Sequence, residues 1–167
     1  MLKNAFTIIE LIIVISIAAI ISVVSIVSLS GLQDIRLNDA ANKIVSDLRY
    51  AQGLAYSNNS WYGISFQTTP SNTYNIYITD GNTDTIISDP KNPAQSFIVD
   101  IDSDYAGVSI VSVNIGGGSK VEFSPIGIPY TDKNGSPIIT TGTIVLTSNS
   151  GNKTINITAN TGEINVL

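Results

Sequence analysis

The sequence contains no cysteine and no histidine, one methionine, one tryptophan, and only eight Lys and Arg among 167 residues. Without cysteine no disulfide can staple the fold and no thiolate can hold a metal. Without histidine, imidazole ligands and His-based catalytic triads are excluded as well. The shortage of cations leaves a formal net charge of -5, which repels phosphate backbones, so nucleic acid is not an expected partner. No nucleophile stands near a plausible base, and no enzymatic activity is expected. Proline is absent between Thr7 and Tyr56, which leaves a long stretch free to be helical. Ser, Thr and Asn dominate the second half while Lys and Glu are scarce, a composition suited to a β-rich, exported surface.

What is present begins with an apolar run. Leu11 to Leu29 carries no charge over 19 residues, about 28 Å as a helix, close to the ~30 Å of a hydrocarbon layer. The run exceeds the apolar core of a cleaved secretory signal, and its basic flank is the single Lys3. Ala18, Ala19 and the serines 16, 22, 25 and 28 offer small surfaces along which neighbouring helices can approach. Glu10 stands at the head of this run, where a carboxylate beside hydrocarbon is costly without a partner. It is either an interfacial charge flanking an ordinary anchor or half of a charge pair.

After Gly31 a 3.6 period appears: Leu37, Ala41, Ile44, Leu48, Ala51 and Ala55 form one helical stripe, with Asp39, Lys43 and Ser46 opposite. Asp39 precedes Lys43 by four residues, the favoured order for a helical ion pair. "YSNNS", Tyr56 to Ser60, supplies the stop, since Asn tolerates the left-handed conformation. From Trp61 alternation takes over: "WYGISFQT", "TYNIYIT", "QSFIVDI", "GVSIVSVNI", "KVEFS", "GTIVLTS", "KTINITA" and "GEINVL" read as strands. Turn-forming segments such as "TDGNT", "DKNGSP" and "NSGN" separate them, and "GGGSK" reads as a hairpin loop. The expected class is α+β: a long N-terminal helix, hydrophobic then amphipathic, packed on a C-terminal antiparallel β-domain. The expected boundaries are residues 1–5, 6–30, 31–58 and 59–167.

"KNAFTIIELIIVISIAAII" resembles the processing and assembly segment of type IV pilins and pseudopilins: a short leader with Lys, a small residue, then Phe-Thr-x-x-Glu-Leu and an apolar helix. Ala5 stands where most of that family has Gly. The resemblance implies a leader of residues 1–5, cleavage between Ala5 and Phe6 by a prepilin peptidase, and N-methylation of Phe6. It implies that Glu10 pairs with the Phe6 amine of a neighbouring subunit; pairing with its own amine is the alternative. Leu11, Ile12, Ile15, Ala18, Ala19 and Ile20 are then the expected helix-to-helix contacts.

"DLRYAQGLAYSNNSWYGISF", "VEFSPIGIPYTDKNGS", "TIVLTSNSGNKTINIT" and "NTGEINVL" resemble the GspH/FimT group of minor pilins and pseudopilins, and extend the likeness over nearly the whole chain. The resemblance implies a pilin-like fold and a structural subunit of a type IV pilus or type II secretion pseudopilus. It also implies other pilin subunits, an inner-membrane assembly platform and membrane lipid as partners. The chain would be a single-pass inner-membrane precursor, then part of a periplasmic or cell-surface filament. A major subunit or a DNA-binding competence pilin is the alternative. The Gly-Arg start of the DNA-binding stretch in some members is replaced here by Gly162–Glu163.

Asp100, Asp102 and Asp104 have the oxygen-ligand spacing of calcium loops. The sixth and twelfth positions, however, are Tyr105 and Val111 rather than Gly and Glu, so a solvated strand end with Asx turns is the expected structure and no cofactor is expected. Trp61, Tyr62, Tyr74 and Tyr77 are expected to pack across strands.

Overall fold

The computed structural model describes residues 7–167, with the side chains of 23–30 excepted. Helix α1 runs unbroken from Ile8 to Asn58, through Gly31, a length of roughly 75 Å at the α-helical rise. The six stripe residues Leu37, Ala41, Ile44, Leu48, Ala51 and Ala55 are all 2% exposed or less, and Ala40 and Val45 widen the buried face. The helix stops where Asn59 adopts φ 49° and ψ 43° and its N–H donates to the Ala55 carbonyl.

Ten strands follow: β1 (Trp61–Gln67), β2 (Thr73–Thr79), β3 (Asp84–Ile86), β4 (Ile98–Asp100), β5 (Ser109–Asn114), β6 (Lys120–Phe123), β7 (Pro129–Tyr130), β8 (Gly142–Ser148), β9 (Gly151–Ile157) and β10 (Ile164–Val166). A short helix α2 (Ile101–Asp104) separates β4 from β5. The first sheet has the order β3-β2-β1-β6-β7, with β4 sharing the outer edge of β2; the second has the order β10-β9-β8-β5. Every strand pairing is antiparallel.

The core lies between the α1 stripe and both sheets. Ile64, Phe66, Tyr74, Ile76, Val121 and Phe123 enter from the first sheet, and Ile144, Leu146, Ile155, Ile157 and Ile164 from the second. Burying one such large apolar side chain stabilises by about 1.5–3 kcal/mol, which is why the stripe fixes how the helix sits on the sheets. Of the aromatics, Tyr62, Tyr74 and Tyr77 are buried, and Phe66 meets its cross-strand partner Tyr74 at 5.5 Å.

Three local expectations are corrected. "GGGSK" joins two different sheets, because β5 pairs with β8 and β6 with β1. Buried Ile115 turns inward there, Gly116 and Gly117 take φ 58° and 88°, and a Cβ on Gly116 would collide with Thr131. "QSFIVDI" is a strand only over Ile98–Asp100, since the Asp100 carboxylate accepts the Ser103 N–H at 3.1 Å and starts α2. Lys43 pairs with Asp47 rather than Asp39, because Asp47 is held in place by the Tyr74 hydroxyl at 2.6 Å.

Candidate assembly surface

Thr7 begins α1 in an extended conformation, φ -82° and ψ 149°, and its hydroxyl accepts the Glu10 N–H at 3.3 Å. Thr7 and Glu10 thus occupy the N-cap and N3 positions of a Thr-x-x-Glu start, where a carboxylate also favours the helix dipole. That cap was legible in the sequence as Thr7 three residues before Glu10, a signal missed beside the more conspicuous apolar run.

Beyond the cap, Ile8, Ile9, Leu11, Ile12, Ile13, Val14, Ile15, Ile17, Ile20 and Ile21 are each between 52% and 80% exposed. Ser16 and Ser22 turn their hydroxyls back to the Ile12 and Ala18 carbonyls at 2.8 and 2.7 Å, so neither asks for water. By the helical period Leu11, Ile15 and Ala18 share one face, Ile12 and Ala19 lie on the adjoining one, and Ile20 points to the opposite side. Ala5 and Phe6 lie outside the described residues. Among the described residues no helix is long and apolar enough to cross a membrane. The described apolar segment is Ile8 to Ser22, and the rest of the sequence run falls on side chains 23–30.

The other ionisable clusters serve the head. Asp47, 6% exposed, receives the Tyr74 hydroxyl and Lys43, whose ammonium also lies 5.2 Å from the Phe97 ring centre. Burial, and then Asp47, pushes Tyr74 far above the ordinary tyrosine range. Glu122, 1% exposed, accepts the Tyr77 hydroxyl and Lys120 at 2.9 Å each and the Lys133 N–H at 2.6 Å. Burial and Glu122 raise Tyr77 in the same way. Burial opposes the Lys120 charge, but hydrogen bonds to Asp132 and Glu122 outweigh it and raise its pKa; the same bond holds Asp132 low.

The three aspartates do not converge. Asp100 caps α2, Asp102 accepts both N–H groups of Asn72, and Asp104 ends α2. Among the described residues no group of three or more acidic side chains is placed to hold a metal ion. Asp80, in the turn segment "TDGNT", forms an Asx turn, accepting the Asn82 and Thr83 N–H groups at 2.8 Å, which lowers its pKa.

The two-sheet head and the amphipathic half of α1 that packs on it match known proteins. The model of the family described as type II transport protein GspH covers residues 40–162, which is 123 of the 167 residues. The chain belongs to the GspH family. The GspH match spans most of the amphipathic half of α1 and nearly all of the β-domain, and begins beyond the apolar half.

Among solved structures, the fold is similar to the minor pseudopilin EpsH from the type 2 secretion system of Vibrio cholerae, at 9% identity and a TM-score of 0.58, over 79% of this chain and 96% of that one. It is also similar to the type IV minor pilin FimU of Pseudomonas aeruginosa PAO1, at 16% identity and a TM-score of 0.56, over 78% and 87%. No curated protein sequence matches the chain. The GspH-family fold is therefore α+β and pilin-like, shared by a pseudopilin and a minor pilin alike.

Proposed function

We propose that the chain is a non-enzymatic, minor subunit of a type II secretion pseudopilus or type IV pilus, held in the inner membrane by residues 6–30 until it enters the filament. The observation that carries this is the apolar half of α1: ten large aliphatic side chains left uncovered by their own head. Monomeric soluble proteins rarely leave so large a contiguous apolar patch bare, so lipid and then neighbouring helices are its natural surroundings.

Prepilin peptidase cuts between Ala5 and Phe6, and the new Phe6 amine is N-methylated. Glu10, already fixed by the Thr7 cap, presents a carboxylate to the Phe6 amine of the adjacent subunit. A cation and a carboxylate brought together in a helix bundle each relieve the other's desolvation. Leu11, Ile12, Ile15, Ala18, Ala19 and Ile20 supply the apolar contacts, and the assembly platform delivers the subunit.

The test is N-terminal peptide mass spectrometry on sheared filaments, paired with Glu10→Ala. A methylated chain beginning at Phe6, and a Glu10→Ala head that folds but is depleted from filaments, are the expected results. A chain still beginning at Met1 in cells with active peptidase, or normal filament abundance of Glu10→Ala, overturns the proposal.

A further inference from the structure

A cleft of ≈ 540 Å³ opens where Asn59 ends α1 and Trp61 begins β1. The β2–β3 hairpin and the turn after β7 form its other walls, with Thr79, Asp80, Thr83 and Lys133. Its volume is that of a small-molecule site. It lies at the opposite end of α1 from Thr7 and the apolar half, so neither lipid nor helix packing there would cover it.

The walls are tied in place without a ligand. The Lys133 N–H donates to Glu122 at 2.6 Å and its ammonium to the Asp80 carbonyl at 2.8 Å, while the Asn134 amide donates to the Gly81 carbonyl at 2.6 Å. The Trp61 ring packs at 76° to Tyr130, with centres 4.9 Å apart. Trp61 and Thr79 face each other in the β1–β2 register, beside Tyr62 and Ile78, which pack against the core. A site ordered in advance loses less on binding.

The groups left over describe the ligand. Thr79, 5% exposed, accepts the Gly81 N–H, and its own hydroxyl proton has no acceptor among the described residues. Lys133 spends one of its three ammonium protons on the Asp80 carbonyl and has no carboxylate within 4 Å among the described residues. Asp80 keeps one carboxylate oxygen unbonded, and Asn59 and Thr83 keep their side-chain polar groups. Because Asp80 and Lys133 bring opposite charges to one cleft, a charged ligand gains little from their sum. A ligand with neighbouring hydroxyls gains from both, accepting from Lys133 and donating to Asp80. An indole adds an apolar surface suited to the C–H face of a ring. We infer that this cleft binds a neutral pyranose sugar residue, with Trp61 against the ring and Thr79, Asp80 and Lys133 on its hydroxyls. The inference does not depend on the filament role.

Trp61 is the single tryptophan, so its fluorescence reports the site directly. The test titrates the full chain, in a zwitterionic detergent without a sugar headgroup, with the methyl pyranosides of glucose, mannose, galactose and N-acetylglucosamine. At least one is expected to change the fluorescence saturably with a Kd of about 1–10 mM. Lys133→Met keeps the backbone N–H bond to Glu122 and is expected to fold as wild type yet bind at least ~5-fold more weakly. Trp61→Ala is expected to lose saturation transfer to the same sugar by NMR. Tighter binding of the matching linear trisaccharide assigns a glycan chain and equal binding a single residue, both within the proposal. No saturable change up to about 100 mM, or undiminished binding by Lys133→Met, overturns the site. Equal binding of open-chain sorbitol, or tighter binding of a methyl glucuronoside, overturns the neutral pyranose.

Discussion

The Tyr74 hydroxyl and the Asp47 carboxylate, 2.6 Å apart and both buried, show how a charge is kept inside an apolar core: each satisfies the other, and Lys43 balances the sign. Removing one partner leaves the other desolvated, so Tyr74→Phe is expected to cost about 1.5–3 kcal/mol at pH 7 by urea unfolding. The pH dependence follows from the same burial. Tyr74 and Tyr77 keep their protons in the folded state far above the ordinary value of 10.0, whereas the unfolded chain ionises there. Their contribution is fully present below pH 10 and is lost as pH rises beyond it, by about 1.4 kcal/mol per pH unit for each tyrosine. Lys120, raised from 10.5, adds to the same alkaline loss, while lowered Asp80 and Asp132 lose their contribution as pH falls below 3.8. Urea midpoints between pH 8 and 11.5 check this, and Tyr77→Phe is expected to make the alkaline fall shallower.

At the scale of elements, the end of α1 rests on one backbone conformation. Asn59 is left-handed, so Asn59→Ala is expected to cost about 1–2 kcal/mol and Asn59→Gly close to nothing, as thermal melts would show. The stripe from Leu37 to Ala55 and the Asn stop were legible because helical burial repeats locally and a cap is a single-residue event. The long alternating strands were legible for the same reason. The destination of "GGGSK" was not: a glycine turn looks the same whether the next strand pairs with the last one or crosses to another sheet, and only Ile115 entering the core decides it. Nor was the partner of Lys43, since Asp39 and Asp47 are both four residues away and the choice is made by Tyr74, 27 residues downstream of Asp47. The proposed assembly segment is visible in the sequence only as chemistry, a carboxylate heading an apolar helix, and on that proposal its neighbours belong to other chains.

For the whole molecule, α1 joins two parts whose stabilities have different sources. Every core residue among those described lies at or after Leu37, while Ile8 to Ile21 face outward without touching the head's interior. The head's folding free energy is therefore set by the stripe and sheets, and in the proposed role the apolar half draws its stability from lipid or neighbouring helices. A chain comprising residues 31–167 is expected to unfold in urea with a free energy within about 0.5 kcal/mol of the detergent-solubilised full chain, since distant, non-contacting parts contribute independently. Leu48→Ala, at a site with no exposure, is expected to cost about 2–5 kcal/mol in both, through the cavity it leaves. Equal losses in the two chains locate the stability in the head. A truncated chain weaker by more than about 1 kcal/mol would mean that the apolar half folds back onto it, which would hide the surface that the proposed assembly requires.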